Sequence, residues 1–170
     1  IAKAYPVELY QREAEFSTTK ITVLEAILDM MNKVPKHDTI SYFLPTCPFT
    51  SHEDIQKGFQ LLTEEVDSVN SVVEYNSPIQ LAMIKKGDNL IPVFDNLTSG
   101  LTNSKFIQKY YRPTGAFYMS WWDKLIKNKN FFIGNVKGYT MPKARTLDIN
   151  DIYDMQQAEF MLKQKPSPLS

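Results

Sequence analysis

The stretch Tyr111-Arg-Pro-Thr-Gly-Ala-Phe-Tyr118 decides how this chain is read. Its aromatic and apolar residues make Tyr110 to Met119 a strand. The chain then reads as a short helix over Trp121 to Lys129 and a second strand over Gly138 to Met141. The acidic turn Thr146-Leu-Asp-Ile-Asn150 follows. A last helix runs from Asn150 to Lys163, with Ile152, Met155, Ala158 and Met161 or Leu162 facing inward.

Upstream, Lys20 to Lys33 places Ile21, Leu24, Ile27, Leu28 and Met31 at helical spacing, so one face is expected to be buried. Thr39-Ile-Ser-Tyr-Phe-Leu44 is a short run of strand formers that Pro45 ends. Ser51-His-Glu-Asp54 has the form of a capping box, and Ile55, Phe59 and Leu62 continue that helix's apolar stripe. Ser68 to Tyr75 is Val-rich and reads as a strand. Strand, helix, strand at this spacing predicts crossover units and a largely parallel sheet. Leu81 to Phe94 interrupts the pattern with a hairpin-like excursion around Gly87-Asp-Asn89, and Asp95 to Lys105 is a polar loop.

The totals exclude several classes. At 170 residues and 43% apolar content the chain suffices for one folded domain. Nineteen basic residues balance nineteen acidic ones. Nothing therefore draws the whole surface to nucleic acid. No uninterrupted apolar run reaches the ~18 residues of a membrane span, and the N-terminus lacks a signal-peptide profile. Cys47 is the single cysteine, which fits a reducing cytoplasm. Six glycines are scattered without a phosphate-cradling pattern. The chain begins at Ile1, which reads either as trimming or as an upstream piece of the gene product lying outside it.

From about Val7 to Leu162 the chain resembles the N-acylneuraminate cytidylyltransferases, the CMP-sialic acid synthetase family. Leu44-Pro-Thr-Cys-Pro-Phe-Thr50 followed by Glu53-Asp-Ile55 is similar to that family's Gln-Pro-Thr-Ser-Pro-Leu-Arg and helix start. Arg112-Pro-Thr-Gly-Ala-Phe-Tyr118 is similar to its Arg-Pro-Asn-Gly-Ala-Ile-Tyr. Leu125, Phe131-Phe132, Tyr139-Thr-Met141, Thr146-Leu-Asp-Ile-Asn150 and Ala158-Glu159 follow in the family's order. The family's opening Ala-Arg-x-x-Ser-Lys loop, which holds the triphosphate, has no counterpart here. Arg12-Glu-Ala-Glu-Phe16 stands where the family has Arg-Pro-x-Glu-Leu.

The resemblance implies a three-layer, Rossmann-like α/β nucleotidyltransferase fold with a mostly parallel sheet. It implies one N-terminally incomplete domain over residues 1–165 and a tail over 166–170. Residues 78–108 would form a protruding dimerisation arm, making the protein a homodimer. The implied reaction transfers CMP from CTP to a sialic-acid-type or related nonulosonic sugar acid, with release of pyrophosphate. Mg²⁺ would neutralise phosphate charge, held by Asp148 and Asn150 where the family has two aspartates. Asp148 would be the catalytic carboxylate. Arg112, Thr114, Tyr118, Phe131, Phe132, Thr46 and Lys105 would bind substrate, and Arg12 would contact the nucleotide.

Each of these positions also has a plainer reading. Asp148 or Asn150 could cap the last helix, with the cap favoured for Asn150. Arg112 could pair across a dimer, and the aromatic wall could be core. Cys47 reads as a packed thiol rather than a nucleophile. His37 and His52 read as surface residues, and Trp121-Trp122 as an interface anchor or a lid on the core. Leu44, Thr50, Ser104, Lys105, Thr114 and Asn150 replace polar or charged groups of the family. Two alternatives follow: a non-catalytic or truncated member acting as a folded dimerising domain, or a nucleotidyltransferase for another sugar acid.

Overall fold

The computed structural model describes residues 5–18 and 20–164. Helix α1 is Val23–Lys33, started by a Thr22/Glu25 capping box. Strand β1 is Thr39–Tyr42 and helix α2 is His52–Gln60. Strand β2, Ser68–Glu74, leads to a hairpin of β3 (Met83–Lys86) and β4 (Asn89–Pro92). The long β5, Tyr111–Trp121, runs into α3, Trp122–Asn128. Strand β6, Val136–Thr140, a 3₁₀ turn at Lys143–Arg145, and α4, Ile152–Lys163, complete the chain.

The main sheet has the order β1-β5-β2-β6, and the hairpin is a separate two-stranded sheet. Only β2 and β6 pair in parallel; β5 runs antiparallel to both β1 and β2. The mostly parallel sheet expected from the sequence is therefore corrected to a mixed one. The reason lies between β2 and β5. Parallel neighbours need a crossover that carries the chain back to the starting edge. The hairpin excursion lies outside the main sheet, and the chain re-enters it where it left, with Tyr75 N donating to Tyr110 O. Strands β1, β2 and β6 still share one direction, so their C-terminal ends lie along one edge.

Alternation along β5 divides the interior into two clusters. Phe117 and Met119 enter the first, with Val69, Leu62, Val66, Met141 and Cys47, and α2 covers it. Gly58 of α2 is buried there because a Cβ would stand 2.6 Å from the Phe117 ring. Tyr118 faces the second cluster, built from Ile27 and Met31 of α1, Ile40, Trp122 and Leu125 of α3, and Phe131. Trp122 is core, while the Trp121 indole donates to Thr63 O at 3.0 Å, so this pair covers the interior. His37 is exposed, with its ring edge-on to Trp122.

Two helical faces differ from expectation. Phe59 is exposed, because the inward face of α2 is set by Asp54 and Gly58. On α4 only Ala158 is buried, and Ile152, Met155 and Leu162 are exposed. No helix among the described residues is long and apolar enough to cross a membrane. The expected tail at 166–170 lies outside the described residues.

Candidate functional site

The site is built around a distortion in β5. Asn70 of β2 pairs with Tyr118, but Val72, two residues on, pairs with Pro113. The intervening residues of β5 are absorbed in a bulge, a device that re-aims side chains at a sheet rim. Gly115 in that bulge has φ +81°, a conformation natural to glycine. A Cβ on it would stand 2.5 Å from Leu44 Cδ1 and 3.5 Å from Cys47 Sγ. The backbone N–H of Leu44 donates to Gly115 O. The loop after β1 thus lies directly against the bulge.

The acidic turn closes over the same loop. Ile149 N donates to Thr46 O at 2.9 Å. Cys47 Sγ lies 3.4 Å from Thr114 O and 3.9 Å from Asp148 Oδ1. Burial, together with the neighbouring Asp148 carboxylate, pushes the Cys47 thiol up to about 11. It stays a protonated, packed donor at neutral pH rather than a nucleophile. Asn150 Nδ2 donates to Asp148 O and Oδ2 at 3.2 and 3.3 Å. The helix cap belongs to Asp151, whose Oδ1 accepts from Tyr153 N and Asp154 N. This corrects the cap expected at Asn150.

A buried carboxylate, which the sequence showed only as a capping residue, anchors the turn from behind. Asp54 is fully buried. Its Oδ1 accepts from Tyr139 OH at 2.8 Å and from Arg145 Nη2 at 2.6 Å. Its Oδ2 accepts from Arg145 Nε at 3.0 Å and from the Ser51 backbone and hydroxyl. Burial pushes this acid upward, but the bonds from Arg145, Ser51 and Tyr139 outweigh it and hold it well below the usual carboxylate range. Burial and the Asp54 contact push the Tyr139 hydroxyl up to about 12.

Aromatic residues form a wall on the α1 and α3 side. Tyr118 lies between Tyr42, Phe131 and Phe132, with ring centroids 6.0, 5.7 and 5.9 Å away. The Phe131 carbonyl accepts from Asn70 Nδ2 at 2.8 Å and from Ser68 Oγ, which fixes the Phe-Phe loop. Phe131 is buried, whereas Phe132 is exposed. These rings, with Leu44 and Asn130, line a cavity of about 340 Å³ that reaches α1. Tyr42, which the sequence did not single out, completes the wall.

The remaining sequence-derived positions lie elsewhere. Thr114 is buried and turns its hydroxyl inward, donating to Ser71 Oγ at 2.7 Å. Arg112 is exposed and donates to the neighbouring Pro113 carbonyl. Lys105 lines a different cavity, at the foot of the hairpin with Glu74 and Lys109. Arg12 lines a cavity between α1 and β1 with Tyr10 and Tyr42.

Asp148, Thr46 and the bulge meet at the C-terminal ends of β1 and β6, the edge where open α/β sheets bind ligands. Among the described residues no group of three or more His, Cys, Asp or Glu could hold a metal by itself. Asp148 alone fits Mg²⁺ in the mode that uses one or two carboxylates plus water and phosphate oxygens. Along 97% of its length the chain is 25% identical to an N-acylneuraminate cytidylyltransferase from Escherichia coli O18:K1:H7. The chain is thus similar to the CMP-sialic acid synthetase-like cytidylyltransferases.

A second relative, the pseudaminic acid cytidylyltransferase of Campylobacter jejuni subsp. jejuni, is 19% identical over 88% of the chain. The chain spans 39% of the first relative's length and 64% of the second's. No protein-family model matches the sequence.

Proposed function

We propose that this synthetase-like chain is part of a sugar-acid cytidylyltransferase that transfers CMP from CTP to a nonulosonic or similar sugar acid. A sugar hydroxyl forms the new bond to the α-phosphorus, the bond to the β-phosphate oxygen breaks, and pyrophosphate leaves. When bound, Mg²⁺ would neutralise phosphate charge, with Asp148 as its protein ligand and Asn150 beside it. Asp148 is the group for which a catalytic role is proposed. Thr46 shapes the loop beneath it, and Tyr118, Phe131 and Phe132 offer the sugar an apolar wall. Arg112 is the exposed polar contact of this reading. The Thr114 hydroxyl is taken up by Ser71, and Lys105 and Arg12 line other cavities, so substrate and nucleotide contacts by these three would require a rearranged site. The observation that carries it is the docking of the Asp148 turn, through Ile149, onto Thr46 of the loop after β1, in a chain aligned along nearly its whole length with a cytidylyltransferase.

The hairpin supports a homodimer. Ile84, Leu90 and Ile91 are exposed on a two-stranded sheet with no core beneath it. We place the dimerisation arm there, within residues 78–108, and the protein in the cytoplasm.

Calorimetric titration with CTP and Mg²⁺ tests the proposal. A saturable heat that Asp148→Asn abolishes supports it. Pyrophosphate release with sialic or pseudaminic acid then identifies the acceptor. The inward Thr114 and the separate cavity of Lys105 favour a second reading, a folded dimerising domain without turnover. Absence of any heat with CTP would select that one.

A further inference from the structure

We infer that Asp54, Arg145 and Tyr139 are positioning residues: together they form a clamp that sets where Asp148 stands over the loop after β1. The inference deepens the reading of Asp148 as a metal-holding carboxylate. Its geometry is a double staple. Arg145 forks onto Asp54 through Nε and Nη2, and Ile149 donates to Thr46 O. Thr46 lies on the loop that leads from β1 into α2, Ser51 caps that helix and Asp54 stands in its first turn. Residue 149 is thus pinned to the loop and residue 145 to the helix it enters, and Asp148 is held between the pins.

Three elements converge on the clamp. Tyr139 brings β6, Ser51 and Asp54 bring the first turn of α2, and Arg145 brings the 3₁₀ turn. Asp54 is completely buried, while the Arg145 side chain is 36% exposed. An ion pair with one member desolvated adds little net stability over an apolar replacement. Registry is the best-attested use of such pairs. Here the register maintained is that of the turn carrying Asp148. A guanidinium suits the task because its planar fork fixes orientation as well as distance.

Cys47 supplies a readout independent of turnover. It is the only cysteine, it is buried, and its sulfur lies 3.9 Å from Asp148 Oδ1. Its reaction with a water-soluble maleimide at fixed pH reports how often the turn lifts. Arg145→Gln is expected to raise that rate about tenfold, and Tyr139→Phe about threefold, by making local opening easier. Arg145→Lys should recover part of the protection. The control is a core variant such as Ile27→Val, chosen for equal thermal stability, because it lies in the other cluster. Labelling of both clamp variants no faster than this control would overturn the inference. Should Arg145→Gln not fold, Tyr139→Phe alone decides it.

A Mn²⁺ titration followed by water-proton relaxation separates this inference from the reading beneath it. If wild type and Asp148→Asn bind Mn²⁺ equally, Asp148 is not the metal carboxylate, and the Cys47 rates still decide the clamp. If Asp148→Asn loses binding, Arg145→Gln should weaken it several-fold. Undiminished Mn²⁺ binding by Arg145→Gln in that case would refute the positioning role.

Discussion

Gly115→Ala tests the bulge on which the candidate site is built. The substitution meets two costs. The backbone at φ +81° is strained for any residue with a Cβ, by about 1–2 kcal/mol. The new methyl would also stand 2.5 Å from Leu44 Cδ1, forcing that side chain off its rotamer. That adds roughly 0.5–1.5 kcal/mol. The sum is about 1.5–3.5 kcal/mol, or a fall in Tm of about 3–14 °C for a chain of this size. Gly87→Ala separates the two costs. Gly87 also has a positive φ, +58°, but nothing lies within 4 Å of its would-be Cβ. It should lose about 1–2 kcal/mol, from the backbone alone. Urea denaturation of both variants, with unchanged m-values, measures the difference directly. Equal losses for the two would mean that the Leu44 loop does not rest on the bulge, and the account of the site would fail.

Asp54→Asn is expected to remove a pH-dependent share of stability. The folded-state acid is held below its ordinary value of 3.8, so its contribution is complete above that pH and lost as pH falls towards the folded value. Denaturation curves at pH 7 and near pH 3 should show the variant's deficit shrinking in acid; a constant deficit would count against the ion pair. Gly58→Ala should cost about 1–3 kcal/mol by overpacking Phe117, read as a lower Tm. Ile84→Ser with Leu90→Ser should leave Tm nearly unchanged yet convert a dimer into a monomer by light scattering. A monomeric wild type would remove the arm from the proposal.

Local chemistry was the legible part of this sequence. Ser51 and Asp54 announced a helix start, and Ile27 and Met31 announced the buried face of α1, because capping and periodicity need only near neighbours. The hairpin was visible from Gly87-Asp-Asn89 between apolar runs. Strand direction was not, because it depends on where the excursion between β2 and β5 leaves the chain. Thr114 matched a substrate-facing motif position, yet the bulge turns its hydroxyl into the interior. Arg145 carried no signal, and Tyr139 was visible only as part of a strand motif, since their partner Asp54 is remote in sequence and already had a local role as a cap. The exposure of Ile152, Met155 and Leu162 was likewise illegible, because a helical stripe reveals a face without revealing what covers it.

The placement of β5 has a consequence for biosynthesis. Strand β1 joins the main sheet only through β5, where Thr39 meets Trp121 and Tyr42 meets Tyr118. As the polypeptide leaves the ribosome, β1 therefore emerges long before its hydrogen-bonding neighbour exists. Until Tyr111–Trp121 is made, Ile40 and Ile27 lack most of the surface that later shelters them, and the nascent chain carries a sticky, unzipped ribbon. Closure must wait for a contact remote along the chain, the kind of long-range pairing that slows folding.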